Sequence, residues 1–298
     1  MYDRIVIAVD GSEEAKHAAR RGLELATRLE ATVDVLHVVP QKSLRLTQTA
    51  DEKARLRDHG EAALSAIEAL AAELDYPVRS RLVEGKPATQ ISDYAADQNA
   101  DLVVVGRQGK TGLGKRLLGG VTEQVLHRSD VPVFVVPSAD GTSEQTPKYD
   151  RVLIPTDGSE NAEGATQYGA TIARTYGSDV HVLNVVDLQA AGGMFDAGGL
   201  EAEFVERLDA KGEEAVERVA DEIRASDPDL DVSTAVEKAA SFEGTAAGIR
   251  EYVANNDIDL VVMGSHGRSN LRRQLLGSVA STVLRTVDVP VLIVKRGA

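Results

Sequence analysis

Asp101-Leu102-Val103-Val104-Val105-Gly106-Arg107-Gln108-Gly109, nine residues further to Gly119-Gly120, reads as a strand, a glycine loop and the start of a helix. The same pattern returns as Asp259-Leu260-Val261-Val262-Met263-Gly264-Ser265-His266-Gly267, nine residues, Gly277-Ser278. A short apolar run that breaks into glycines and then enters a helical stretch presents backbone N–H groups to an anion. Two occurrences on one chain predict two phosphate-holding half-molecules.

The N-terminal ends of the halves repeat as well. Tyr2-Asp3-Arg4-Ile5-Val6-Ile7-Ala8-Val9-Asp10-Gly11-Ser12 matches Tyr149-Asp150-Arg151-Val152-Leu153-Ile154-Pro155-Thr156-Asp157-Gly158-Ser159. Each half alternates strands and helices. In the first, strands are expected at 5–9, 33–39, 79–83, 102–105 and 133–136, with helices at 15–29, around Leu64, Ile67, Leu70 and Leu74, at 91–98 and at 121–128. In the second, strands are expected at 180–186, 232–236, 260–263 and 291–294 after the opening one. Its helices fall at 162–176, around Val216, Val219 and Ile223, at 246–255 and at 279–285. Such alternation predicts an α/β fold, a parallel sheet covered on both faces in each half. Ligands of such sheets bind beyond the C-terminal ends of the strands, where Asp10 and both glycine loops fall. Domains are expected over 1–138 and 148–298, with a polar, proline-bounded linker at 137–147. A glycine-rich stretch at 189–199 reads as a tolerated insertion, or as a lid or partner-docking loop.

Composition narrows the function. The 298 residues carry a net charge of −14 and 4% aromatics without Trp, which opposes nucleic-acid binding by phosphate neutralisation or base stacking. Zero Cys removes thiolate metal sites and thiol chemistry. The six His show no metal-ligand spacing. Neither a signal peptide nor an apolar run of the ~18 residues a membrane span needs is visible, so the expectation is a soluble, cytoplasmic protein. The Lys-poor acidity fits a salt-rich, halophilic cytoplasm, the alternative being an ordinary acidic protein from an Arg-rich genome.

Familiar nucleotide motifs fail. Gly109-Lys110-Thr111 is not a Walker A, because the glycine required five positions before Gly109 is Val104. After Gly112-Leu113-Gly114 the third glycine of the dinucleotide fingerprint is replaced by Leu117. His266 beside Ser265 has no carboxylate at a telling spacing, which argues against a hydrolase triad. Lys110, Lys115 and Arg116 in one loop and Arg268, Arg272 and Arg273 in the other are either phosphate-facing or solvated.

G-x2-G-x9-G-[S/T] after the fourth strand, with Asp at the end of the first, resembles the universal stress protein family, and the resemblance runs through both halves. It implies two doubly wound five-stranded parallel sheets in order 3-2-1-4-5, of the adenine nucleotide alpha hydrolase-like type. In the ATP-binding branch it implies loop glycines on the phosphates, the first-strand Asp beside the adenosine and the end of the second strand receiving the adenine. By position this gives Asp10, Val38, Gly106, Gly109, Gly119, Gly120, Val121 and Thr122 in the first half. The second half gives Asp157, Val185, Gly264, Gly267, Gly277, Ser278 and Val279. Asp10 and Asp157 also suit capping of the helix that follows, and both roles can coexist.

Gly120 departs from the pattern, which expects Ser or Thr, and Ala280 stands where the first half has Thr122. Both sites are expected to be competent, the second modestly favoured. The ligand implied is ATP, with or without Mg2+, in a nucleotide-sensing or adaptor module of the stress response whose hydrolysis is slow or absent. The rivals are a nucleotide-independent interaction module and a nucleotide-dependent ligase or transferase on the same sheet. The apolar last strands, 131–136 and 289–294, need cover. The resemblance implies that they pair, so the two halves would form an intramolecular pseudo-dimer, and a homodimer of chains is compatible with it.

Overall fold

The computed structural model describes residues 1–41, 50–109, 117–138, 148–188, 202–239, 244–267 and 276–295. The chain divides into two compact units, Met1–Pro147 and Lys148–Gly297. The expected linker lies outside the described residues from 139 onward, and so does the whole of 189–199.

The first unit runs β1 (Arg4–Val9), α1 (Glu13–Leu29), β2 (Thr32–Pro40), α2 (Ala50–Glu73), β3 (Val78–Gly85), α3 (Pro87–Asp97), β4 (Leu102–Gly106), α4 (Gly120–Arg128), β5 (Val133–Val136). The second runs β6 (Arg151–Pro155), α5 (Glu160–Glu163), α6 (Thr166–Tyr176), β7 (Asp179–Asp187), α7 (Ala202–Ser226), β8 (Val232–Ala239), α8 (Gly244–Asn255), β9 (Leu260–Gly264), α9 (Ser278–Thr286), β10 (Val291–Val294). Within the first unit the strands lie parallel in the order β3-β2-β1-β4-β5, and within the second in the matching order β8-β7-β6-β9-β10. The chain reverses direction across the sheet between β1 and β4, and between β6 and β9, which opens a crevice above those strand ends.

The β-branched composition explains the strands. Ile5, Val6, Ile7, Val103 and Val104 are all 0% exposed, as a central parallel strand covered on both faces requires. Helices reach the sheet closely through glycines. A Cβ at Gly22 would lie 2.9 Å from Ile7 and 3.1 Å from Val104, and one at Gly169 would lie 2.6 Å from Ile154.

Several elements differ from expectation. α2 begins at Ala50, well before Leu64, and ends at Glu73, so Leu74 falls in the turn and donates to Ala71 O at 3.1 Å. β3 extends to Gly85 because β2 continues to pair with it through Pro40↔Gly85. α3 begins earlier, at Pro87, whose missing N–H costs nothing in a first turn. The helix expected at 162–176 is two pieces. Ala165 N–H bonds Ala162 O (3.1 Å), a tighter i→i−3 link, while the Asn161 carbonyl lies against Gly264, where a Cβ would come within 2.4 Å. The equivalent Glu14 carbonyl stands 3.4 Å from a Cβ on Gly106, and α1 is unbroken.

The extra residues of the second unit are spread over three joins. Gly60 and Gly212 occupy equivalent places, each pressed on the second strand of its unit (His37 and Asn184), and the third strands align Val78 with Val232. Among the described residues no helix is long and apolar enough to cross a membrane.

Candidate functional site

Each crevice begins at the turn after the first strand. Gly11 (φ +81°) and Gly158 (φ +77°) take the left-handed conformation that lets the chain reverse there. Asp10 Oδ1 accepts from Ser12 N (2.9 Å) and Ser12 Oγ (2.6 Å), and Ser12 Oγ accepts from Ala15 N (3.1 Å). Asp157 and Ser159 repeat this at 3.0 and 2.6 Å, with Ala162 N at 3.3 Å. The serine caps the helix; the aspartate holds the serine. In the second unit Thr156 Oγ1 also accepts from Gly158 N (3.0 Å).

The other carboxylate oxygen sets the second loop glycine. A Cβ on Gly109 would sit 2.3 Å from Asp10 Oδ2, and one on Gly267 would sit 2.3 Å from Asp157 Oδ2. These glycines are space for a carboxylate.

The loops close internally. Arg107 N donates to Val136 O (2.7 Å) and Ser265 N to Val294 O (2.8 Å), extending each strand ladder by one residue. Gly119 N donates to Arg107 O and Gly277 N to Ser265 O, both at 2.9 Å, so these two amides hold the loop neck. The amides that follow are different. α4 and α9 have Gly119 and Gly277 as N-caps, with no side-chain cap bond, so the first-turn N–H groups of residues 120–122 and 278–280 meet no capping side chain. α1 and α5, by contrast, are capped by Ser12 and Ser159.

Side chains then separate the units. Thr122 Oγ1 donates to Gly106 O (2.8 Å), a bond that Ala280 cannot make. Ser278 brings a hydroxyl to the first helical position, where the first unit has Gly120. Gln108 Nε2 donates to Leu117 O (2.6 Å) and draws the loop ends together, whereas at the matching position His266 Nδ1 pairs with Ser265 Oγ (2.9 Å). Lys110, Lys115, Arg116, Arg268, Arg272 and Arg273 lie outside the described residues.

At the far end of the crevice the second strand overshoots the first. Thr156 N donates to Leu183 O (2.8 Å), so strand alternation turns the amide and carbonyl of Val185 to the same side, beyond the end of β6. Val38 occupies the equivalent position past β1. Asn184 Nδ2 donates to Thr156 O (2.7 Å) and closes the floor in the second unit.

These features line one cavity per unit, about 360 Å3 in the first and about 210 Å3 in the second. All eight residues expected in the first unit, Asp10 and Val38 through Thr122, line its cavity. All seven expected in the second, Asp157 and Val185 through Val279, line the other. Sequence reading did not anticipate His37, Leu56 and His59 in the first, or Thr156, Thr245 and Met263 in the second. Nothing in the spacing of α2 signals that its third turn overhangs the Asp10 turn. The described lining contains no Lys or Arg in either cavity, and no group of three His, Asp or Glu among the described residues could hold a metal ion. Near the rim of the first cavity, hydrogen bonds from Lys53 and Gln41, with Arg57 beside them, hold the Glu84 carboxyl below its ordinary range.

The family model of the universal stress protein family matches residues 1–137 and again 148–295. A universal stress protein of Mycobacterium tuberculosis is 30% identical over 306 residues, covering 98% of this chain and 97% of its own length. A crystal structure of a universal stress protein from Archaeoglobus fulgidus superposes with a TM-score of 0.69 at 22% identity, covering 100% of both chains. A universal stress protein solved in complex with cAMP covers 46% of this chain and 99% of its own, at 27% identity and a TM-score of 0.38. Matched twice by the family model and along nearly its whole length by a tandem relative, this chain belongs to the universal stress protein family.

Proposed function

We propose that each unit binds an adenine nucleotide, ATP with or without Mg2+, and that the chain acts as a nucleotide-sensing or adaptor module in the stress response of the cytoplasm. One observation carries the reading. In each cavity an uncapped helix N-terminus and an outward-turned strand amide and carbonyl face a common space, with an aspartate between them. The helix end suits phosphates, through unbonded N–H groups and a dipole that contributes ~0.3–1 kcal/mol to an exposed anion.

At the other end, the N–H and C=O of Val38 or Val185 complement adenine, which offers an acceptor at N1 beside a donor at N6. Guanine presents the reverse pair there and would leave polar groups unmatched, a cost of ~1–3 kcal/mol per group. The aspartate between suits a ribose hydroxyl. Its Oδ1 already accepts from the capping serine, so Asp10 and Asp157 serve the helix as well.

The reading includes slow or absent hydrolysis, since the sequence places no Walker A lysine beside the loop. The test is to denature freshly purified chain and identify the released ligand by mass spectrometry, then to compare ATP and GTP affinities on the emptied protein. The expected result is a co-purified adenine nucleotide and a clear preference for ATP. Equal affinity for GTP, or no binding of either, would overturn the reading.

A further inference from the structure

The two cavities differ most beside the second strand, where the first is lined by His37 on β2 and by Leu56 and His59 on α2. His59 Nε2 lies 3.4 Å from the Asp10 carbonyl oxygen, which sets the ring over the turn after β1. Its ring meets His37 edge to face, with centroids 6.2 Å apart at 70°. A Cβ on Gly11 would touch the His59 ring at 2.9 Å, so the imidazole rests directly on the turn that carries Asp10. His59 itself is exposed and lines the cavity.

Among the described residues the second unit has no such pair. Gly60 packs on His37 as Gly212 packs on Asn184, which aligns His59 with Lys211 and His37 with Asn184. Lys211 is exposed and outside the lining of the second cavity, and Asn184 is bonded to Thr156 O.

We propose that His59 is a ligand-contacting residue of the first unit, with no counterpart in the second, and that its imidazole gives this cavity a proton-dependent preference for anionic nucleotides. This rests on the nucleotide reading above. Imidazole is the side chain that ordinarily gains or loses charge between pH 5 and 8. A cationic ring over the turn that carries Asp10, the ribose position of that reading, adds a charge-assisted contact to a phosphate attached directly to the ribose, and a neutral ring does not. Charged and titratable groups on the elements packed around it include Asp10 on the turn, His37 on β2, Glu84 on β3 with its partners Lys53 and Arg57, and Arg55 and Asp58 on α2 itself. α1 adds Glu13, Lys16 and His17, on the flank whose Arg20 pairs with Glu73. Glu84 is already met by two cations of its own.

The experiment uses the full chain with Gly267→Val, which drives a side chain into Asp157 and closes the second site. The probes are cAMP, singly ionised across the range, and adenosine, uncharged across it; affinity is measured near pH 5.5 and pH 8. Binding of cAMP is expected to be about three- to tenfold tighter at the lower pH, a partly exposed charge-assisted contact, with adenosine unchanged. His59→Asn is expected to abolish the difference. In unmodified protein, cAMP is expected to raise the NMR titration midpoint of the His59 ring, a readout that does not depend on the variants folding. The proposal is overturned by pH-independent cAMP binding, by a dependence that survives His59→Asn, or by the same dependence for adenosine. If unmodified protein binds neither probe at either pH, the nucleotide reading itself fails and takes this inference with it.

Discussion

The loop glycines divide by what their missing Cβ would strike. At Gly109 and Gly267 it would strike a carboxylate oxygen at 2.3 Å, whereas at Gly120 nothing lies within 4 Å. Gly109→Ala should therefore displace Asp10 and lower the stability of the first unit by about 1–3 kcal/mol, the usual cost of forced overpacking. Gly120→Ala should leave it unchanged or raise it by up to about 1 kcal/mol, since a first-turn alanine loses less chain entropy. Urea unfolding of the two variants checks the contrast; equal losses would mean that the Asp10–Gly109 contact is not what fixes the glycine. The sequence pattern requires glycine at 109 and expects Ser or Thr at 120, but it does not show why a side chain is barred at the one and not at the other. That distinction depends on Asp10, 99 residues away in the chain, arriving at the loop.

Among the elements, the strands were legible because their apolar runs are bounded by turn residues and repeated in two copies, whereas their order in the sheet was implied by the family resemblance. The first half of α2 was not, since it is largely exposed and carries no apolar stripe to mark it. The break between α5 and α6 was invisible because its cause is the contact of Asn161 with Gly264, across the fold. Gly164 sits in that break at right-handed angles (φ −57°, ψ −20°) with ordinary room for a Cβ, so Gly164→Ala should stabilise the second unit by about 0.5–1 kcal/mol, read as a higher urea midpoint.

Protonation acts on the same elements. His181 of β7, 3.0 Å from the Tyr252 hydroxyl of α8, is held below the ordinary imidazole value mainly by burial, against the pull of Asp179. His17 of α1 is lowered by burial too, with Arg21 and Arg20 adding to it. The folded chain thus binds fewer protons at these sites than the unfolded chain. Their contribution to stability is complete above pH ~6.5 and is lost as the pH falls through the lowered values. Chemical denaturation between about pH 8 and pH 5 should show stability declining with acid, and His181→Asn should flatten the slope for the second unit. A slope of the opposite sign would contradict the burial argument.

Over the whole molecule, two copies of one unit carry the same turn, the same loop neck and the same uncapped helix, each beneath its own cavity. What differs is the lining: Thr122, Gln108 and the histidine pair in the first unit, Ser278, His266 and Thr156 in the second. The chain positions of the glycines and aspartates were readable from the repeat, whereas the unequal cavity sizes were not, because they follow from side chains that meet only after folding. Isothermal titration of the full chain with ATP, alongside Gly109→Val and Gly267→Val, counts the nucleotide sites. Two per chain are expected, falling to one in either variant; no saturable binding by the unmodified chain, or a stoichiometry that neither substitution changes, would show that the cavities do not hold nucleotide as proposed.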